Sequence, residues 1–196
     1  SADVDAVDKM GWSPLQEAAG AAEADAVAML LAAGANPRLE NRSMESAMSH
    51  ARERRSAPCI ALLRGALSPE EVAIDAAKNG DADHLDAMLD GCATSIQRAD
   101  AALSSQRHHR ERSSLLHWAS CNGHLACAQL LLRRKANVDA HAVNGWTPLM
   151  AAVTSHEAAV VQLLCGARAS LHLRDSTGKV ALDHISLTAS TIPSPN

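Results

Sequence analysis

Short apolar stretches of Ala, Leu and Val recur along the chain, each roughly two helical turns long and each broken by Gly, Asn, Pro or a charged run. The clearest reads Thr147-Pro148-Leu149-Met150-Ala151-Ala152-Val153, then Val160-Val161-Gln162-Leu163-Leu164-Cys165. Here Thr147 can cap a helix, Pro148 takes the first helical position where no hydrogen bond is lost, and Leu and Ala form a narrow apolar stripe. Small Ala side chains let a second, antiparallel helix approach closely. The Leu pair ends that second helix, and Gly34 or Gly166 suits a left-handed stop. The pattern predicts pairs of short helices. Each pair is too small to bury its own apolar face and must stack on a neighbour.

The same arrangement recurs at Gly11-Trp12-Ser13-Pro14-Leu15-Gln16-Glu17-Ala18-Ala19 and at Ser114-Leu115-Leu116-His117-Trp118-Ala119-Ser120. The second small residue of each first helix falls at 19, 51, 77, 120, 153 and 186, so the steps are 32, 26, 43, 33 and 33. In the first five units an apolar residue follows twelve positions later: Leu31, Leu63, Leu89, Leu132 and Cys165. Constant spacing within units places both irregular steps in the connections. The short one is Arg64–Glu71, where Ser68, Pro69 and Glu71 start the next helix directly. The long one runs from about Gly91 to Ser113, an enlarged connection with a short helix over 96–103. The second unit is degenerate, with Pro58 at the start of its second helix where the pattern wants an apolar residue. Residues 2–11 read as a connection of the same kind. The chain then begins at a unit boundary, as a piece of a longer array or as an end capped by Val4 and Val7.

At Gly145-Trp146-Thr147-Pro148-Leu149, at Asn122-Gly123-His124 and at the Leu runs, the chain resembles the ankyrin-repeat family, whose signature is G-x-T-P-L-H-x-A-A…G-H…L-L-L…G-A. The resemblance implies an all-α repeat solenoid of stacked helix-turn-helix repeats with short β-hairpin fingers. One domain is expected over 1–190, with repeats at about 8–37, 38–66, 67–93, 110–139 and 140–172. A half-repeat at 173–190, an insertion at about 94–112 and a disordered tail at 191–196 complete that division.

Composition narrows the picture. Aromatic residues are 2% of the chain, with no Tyr or Phe, which argues against a β-sandwich or barrel core and for Ala/Leu-packed helices. A net charge of −4 excludes a globally basic nucleic-acid coat, and no apolar run approaches a membrane span. The five Cys are odd in number and most lie in Ala/Leu-rich segments, where a reduced thiol packs as a small hydrophobe. The expected setting is an intracellular, reducing compartment: cytoplasm or nucleus, or an organelle if a targeting segment has been removed.

Four soft ligands, His117, Cys121, His124 and Cys127, lie within eleven residues and raise a zinc reading. The stronger reading is structural, because His117 and His124 fall on the His positions of the family signature and a turn at Asn122-Gly123 separates the two helices. No nucleophile elbow, phosphate-cradling loop or paired-carboxylate site occurs, so neither an enzyme nor a cofactor is expected.

The resemblance implies a protein-binding scaffold or adaptor that uses finger tips and first-helix ends lining a concave face. Those positions are Lys9, Met10, Trp12, Arg42, Met44, Ala142, Asn144 and Trp146 on fingers, and Arg52, Lys78, Asn79, Asn122 and Thr154 at helix ends. The insertion adds Arg107, His108, His109 and Arg110, a local positive spot suited to an acidic segment. The alternatives are a permanent subunit or assembly factor of a large complex and, less favoured, a metal-binding protein.

Overall fold

The computed structural model describes residues 3–43, 45–90 and 113–185. The helices are α1 (Pro14–Gly20), α2 (Ala24–Ala32), α3 (Ala47–Glu53), α4 (Ala57–Gly65), α5 (Pro69–Asn79) and α6 (Ala82–Asp90). They continue with α7 (Leu115–Cys121), α8 (Leu125–Arg133), α9 (Pro148–Thr154) and α10 (Ala158–Gly166), followed by a 3-10 turn at Ala181–His184. The expected helix over 96–103 and the insertion lie outside the described residues.

Local chemistry starts each first helix in the same way. The hydroxyls of Ser13, Ser46, Ser114 and Thr147 accept the backbone N–H three residues on, at 3.3–3.4 Å. Between the paired helices one residue turns left-handed: Ala22, Arg55, Gly80, Gly123 and His156. These turns stand 33, 25, 43 and 33 residues apart, which corrects the register of the second repeat. Ala51 is the counterpart of Ala18, and the counterpart of Ala19 is Arg52. Aligning by small residues slips one position here, because Arg52 replaces the small residue, and the turn restores the register.

Second helices also end on left-handed residues, at Gly34, Lys135 and Arg168. Gly166 is instead the last helical residue of α10. Two residues later the chain reverses through Arg168, with the strain of a Cβ at φ 63°. Pro58 sits in the first turn of α4, where its missing N–H costs nothing. The truncated connection leaves three residues between Gly65 and Pro69, and α5 starts on that proline.

The chain divides into two compact units, Ser1–Ser68 and Pro69–Asn196. In the first, α1 packs on α3 and α2 on α4 around Leu15, Val27, Cys59 and Leu63. In the second, α5, α7 and α9 form one row and α6, α8 and α10 a second, around Leu85, Leu115, Leu131, Leu149 and Leu164. The 3-10 turn closes on α9. Each fully buried Leu contributes roughly 1.5–3 kcal/mol from leaving water. In α8 and α10 the innermost side chains are Leu131 and Leu164, one residue before the expected Leu132 and Cys165. The thiols divide accordingly: Cys59 and Cys127 are buried, while Cys121 and Cys165 are exposed. Burial pushes the Cys127 thiol up to about 11.

Candidate protein-binding edge

The fingers are closed by side chains rather than by long strands. Among the described residues, pairing is limited to one antiparallel bridge, Glu40 with Ser46. A finger only a few residues long cannot propagate a ladder, so a carboxylate or amide takes its place. Asp8 Oδ1 accepts the N–H groups of Met10 and Trp12, both at 2.8 Å, while its own N–H donates to Trp12 O at 2.9 Å. Asn41 does the same with Ser43 and Glu45 at 2.9 and 3.0 Å. Asp175 repeats it with Thr177 and Lys179 at 2.8 and 3.0 Å, and adds the Thr177 hydroxyl and His184 Nε2. The Thr177 hydroxyl foremost, with these amides, holds the Asp175 carboxyl well below the usual carboxylate range. Ala142 occupies the equivalent place in the remaining finger, and there Asn144 Oδ1 accepts the Trp146 N–H at 3.0 Å.

Neighbouring fingers touch through glycine. Gly11 has φ +85°, and a Cβ there would stand 3.2 Å from Arg42 Cγ. In the second unit Ser176 N–H donates to Asn144 O at 2.8 Å, and a Cβ on Gly145 would meet Ser176 N at 3.0 Å.

A buried polar side chain ties the first helices α1 and α7 to the fingers that follow them. Gln16 Oε1 accepts the Ser13 N–H at 2.8 Å, and its Nε2 donates to Leu39 O and Glu45 O at 3.0 and 2.8 Å. His117 makes the same bridge: Ser114 N–H donates to Nδ1 at 3.1 Å, and Nε2–H donates to Trp146 O at 2.9 Å. Both ring nitrogens are then used by the neutral form, and burial pushes the His117 pKa down to about 4.

The structure sorts the sequence-selected residues into groups. Lys9, Met10, Trp12 and Arg42 gather on one edge of the first unit: Lys9, Met10 and Arg42 are exposed and Trp12 is half-buried. Arg52 lies apart, half-buried in the last turn of α3. In the second unit Asn144 and Trp146 share a finger, whereas Lys78, Asn79 and Asn122 lie at the far ends of α5 and α7. There the Lys78 ammonium stands 4.1 Å from the centre of the Trp118 ring, and Asn122 Nδ2 donates to Trp118 O. Asn79 Nδ2 donates back to Asp75 O at 2.7 Å, and the Thr154 hydroxyl to Met150 O. Met44, Arg107, His108, His109 and Arg110 lie outside the described residues.

Ala142, selected as a contact residue, is buried at 8% exposure. Its neighbour Val143 is the exposed residue of that finger, at 58%, and Val7 stands exposed in the first. Sequence reading passed over Val143 and took Val7, with Val4, only as a cap for the end of the array. The available signal was an apolar residue next to a finger-closing position, where the backbone leaves it no interior to enter.

The four zinc candidates have separate partners. His117 is committed as above, His124 Nε2 bonds Lys78 O at 2.8 Å, Cys121 Sγ faces Ser155 Oγ at 3.3 Å, and Cys127 is in the core. No group of three or more metal-ligating side chains occurs among the described residues.

Capped helix pairs, two of whose four steps are 33 residues, with buried polar side chains tying α1 and α7 to fingers, define a helical repeat protein. The pattern of the family described as ankyrin repeats (3 copies) matches residues 73–175, and that of the single ankyrin repeat matches 10–42. The chain belongs to the ankyrin-repeat family, whose domains are generally protein–protein interaction modules and typically non-catalytic. Its fold is similar to the human ASB11 ankyrin repeat domain, with TM-score 0.56 and 24% identity over 97% of this chain and 84% of that one. It is also similar to the ankyrin repeat domain of Bcl-3, described as a unique member of the IkappaB protein family, with TM-score 0.54 and 22% identity over 93% and 81%. Among the described residues no helix is long and apolar enough to cross a membrane.

Proposed function

We propose that this protein is a non-catalytic scaffold or adaptor that holds a partner protein along its finger edge. The observation that carries this reading is the contact between fingers in the first unit. Asp8 and Asn41 fix each finger, Gly11 lies against Arg42, and Met10, flanked in the chain by Lys9 and Gly11, is left 67% exposed. The finger backbone beneath this apolar side chain is already ordered by hydrogen bonds, so binding there costs little beyond the Met10 rotamer freedom. Lys9 and Arg42 on the same edge select an acidic rim on the partner. Residues 107–110 extend the same reading as a further positive contact.

The test is affinity purification with the wild-type chain and with Met10→Asp and Arg42→Glu, neither of which touches the core. A partner captured by the wild type and lost from both variants supports the edge. Equal capture by all three would refute it.

A further inference from the structure

The second-helix row of the second unit carries a feature unrelated to the fingers. An open trough of about 560 Å³ runs between α8 and α10. Its walls are Gln129 and Leu132 on α8 and Gln162 and Leu163 on α10, the two glutamines standing one repeat apart. At the C-terminal end Arg133 forms one lip, and its counterpart on the other is Gly166. The missing side chain opens that end, and a Cβ on Gly166 would meet nothing within 4 Å.

The charge around the trough has one sign. Neither α8 (LACAQLLLR) nor α10 (AAVVQLLCG) carries a carboxylate. Arg133 lines its open end, and Lys135 and Arg168, both exposed, follow the C-terminal ends of α8 and α10. The nearby Asp139 is turned away, accepting Ser170 N–H at 2.9 Å. Arg134 is drawn to the other side of α8 by Asp86. This is a local positive rim around apolar walls on a chain whose net charge is −4.

We propose that this trough is a second docking site and that its occupant is an acidic amphipathic helix of a partner protein. Two neighbouring nine-residue helices present a ridge-lined groove into which a third helix packs. Leu132 and Leu163 receive the apolar stripe, the glutamine amides meet its polar shoulders, and Arg133, Lys135 and Arg168 face its carboxylates. The site does not use the finger edge, so the two readings stand separately.

The test uses the full chain and a fluorescein-labelled helical peptide of roughly 18 residues, made of Leu, Glu and Ala with Leu at helical spacing. A copy with Lys in place of Glu is the comparison. Anisotropy is expected to show the Glu peptide binding at least about tenfold more tightly, a margin lost as salt rises. Arg133→Glu and Gly166→Gln are each expected to weaken it at least about fivefold, with circular dichroism unchanged because both sites are on the surface. Met10→Asp should leave it unaltered, which separates this site from the finger edge. Equal affinity for the two peptides, preference for the Lys peptide, no binding, or indifference to both trough variants would overturn the proposal. So would a dimer of the chain that Arg133→Glu disperses, which would assign the trough to a second copy.

Discussion

The imidazole of His50 lies against the indole of Trp12, with ring centres 4.3 Å apart and planes within 25°. At 134 residues' remove, Trp146 and His184 form the same pairing across a finger and the next layer, tilted and 5.1 Å apart. In each case the Trp precedes a helix-capping Ser or Thr, and the His comes from the following repeat. Glu45 and Glu53 stand 3.9 and 4.0 Å from His50. Each indole is therefore packed on one side while remaining part of the edge. A double-mutant cycle with Trp12→Ala and His50→Ala should give a coupling of about 1 kcal/mol in urea denaturation. Additive effects would show that the stack contributes nothing beyond burial.

His117 makes stability depend on pH. Its folded pKa, near 4, lies below the unfolded value of 6.5. Its contribution is then complete above pH 6.5 and falls as pH drops toward 4, because the unfolded chain takes up a proton that the native site refuses. The loss should be on the order of 3 kcal/mol by pH 4. Gln16 shows that an amide can make the same bridge. Urea denaturation of His117→Gln should retain most of the neutral-pH stability and lose much of the slope.

Gly123 should resist a side chain. Its φ is +70°, a strained conformation for any residue with a Cβ, and a Cβ there would also have to push the Glu157 carboxylate aside. Gly123→Ala should destabilise the fold by about 1–3 kcal/mol. At the equivalent turn, His156 already holds a left-handed conformation. There His156→Gly should be neutral or stabilising by up to about 1 kcal/mol. The thermal melt should fall for Gly123→Ala and hold or rise for His156→Gly.

The thiols should separate by burial. Cys121 and Cys165 should react with iodoacetamide in the native chain, and Cys59 and Cys127 only after unfolding. Peptide mass spectrometry of protein pulsed with and without urea reads this directly.

Helix pairing was legible because Ser13, Ser114 and Thr147 announce helix starts and the Leu and Ala stripes repeat. The register of the second repeat was not, since Arg52 stands where Ala19 and Ser120 stand and the last small residue, Ala51, comes one position early. The turn at Arg55 sets it, and left-handed turns at Arg, Lys and His leave no mark in composition. Finger positions could be placed from the residues before Ser13 and Thr147, but which neighbour faces inward could not. Ala142 is covered and Val143 exposed because the backbone closes on Ala142 N–H and O. The trough between α8 and α10 also escaped, because Gly166 reads as a helix stop. Its effect is an absence opposite Arg133, visible only once two repeats lie side by side.

The left-handed residues at Ala22, Arg55, Lys135, His156 and Arg168 have a further consequence. Each withholds a little stability that glycine would restore, and each lies at a turn rather than in the core. Engineering could therefore raise the melting point one turn at a time, without redesigning a single interior contact. The same turns are where natural variants could drift toward hardier or softer versions of the molecule while its recognition surfaces stayed as they are.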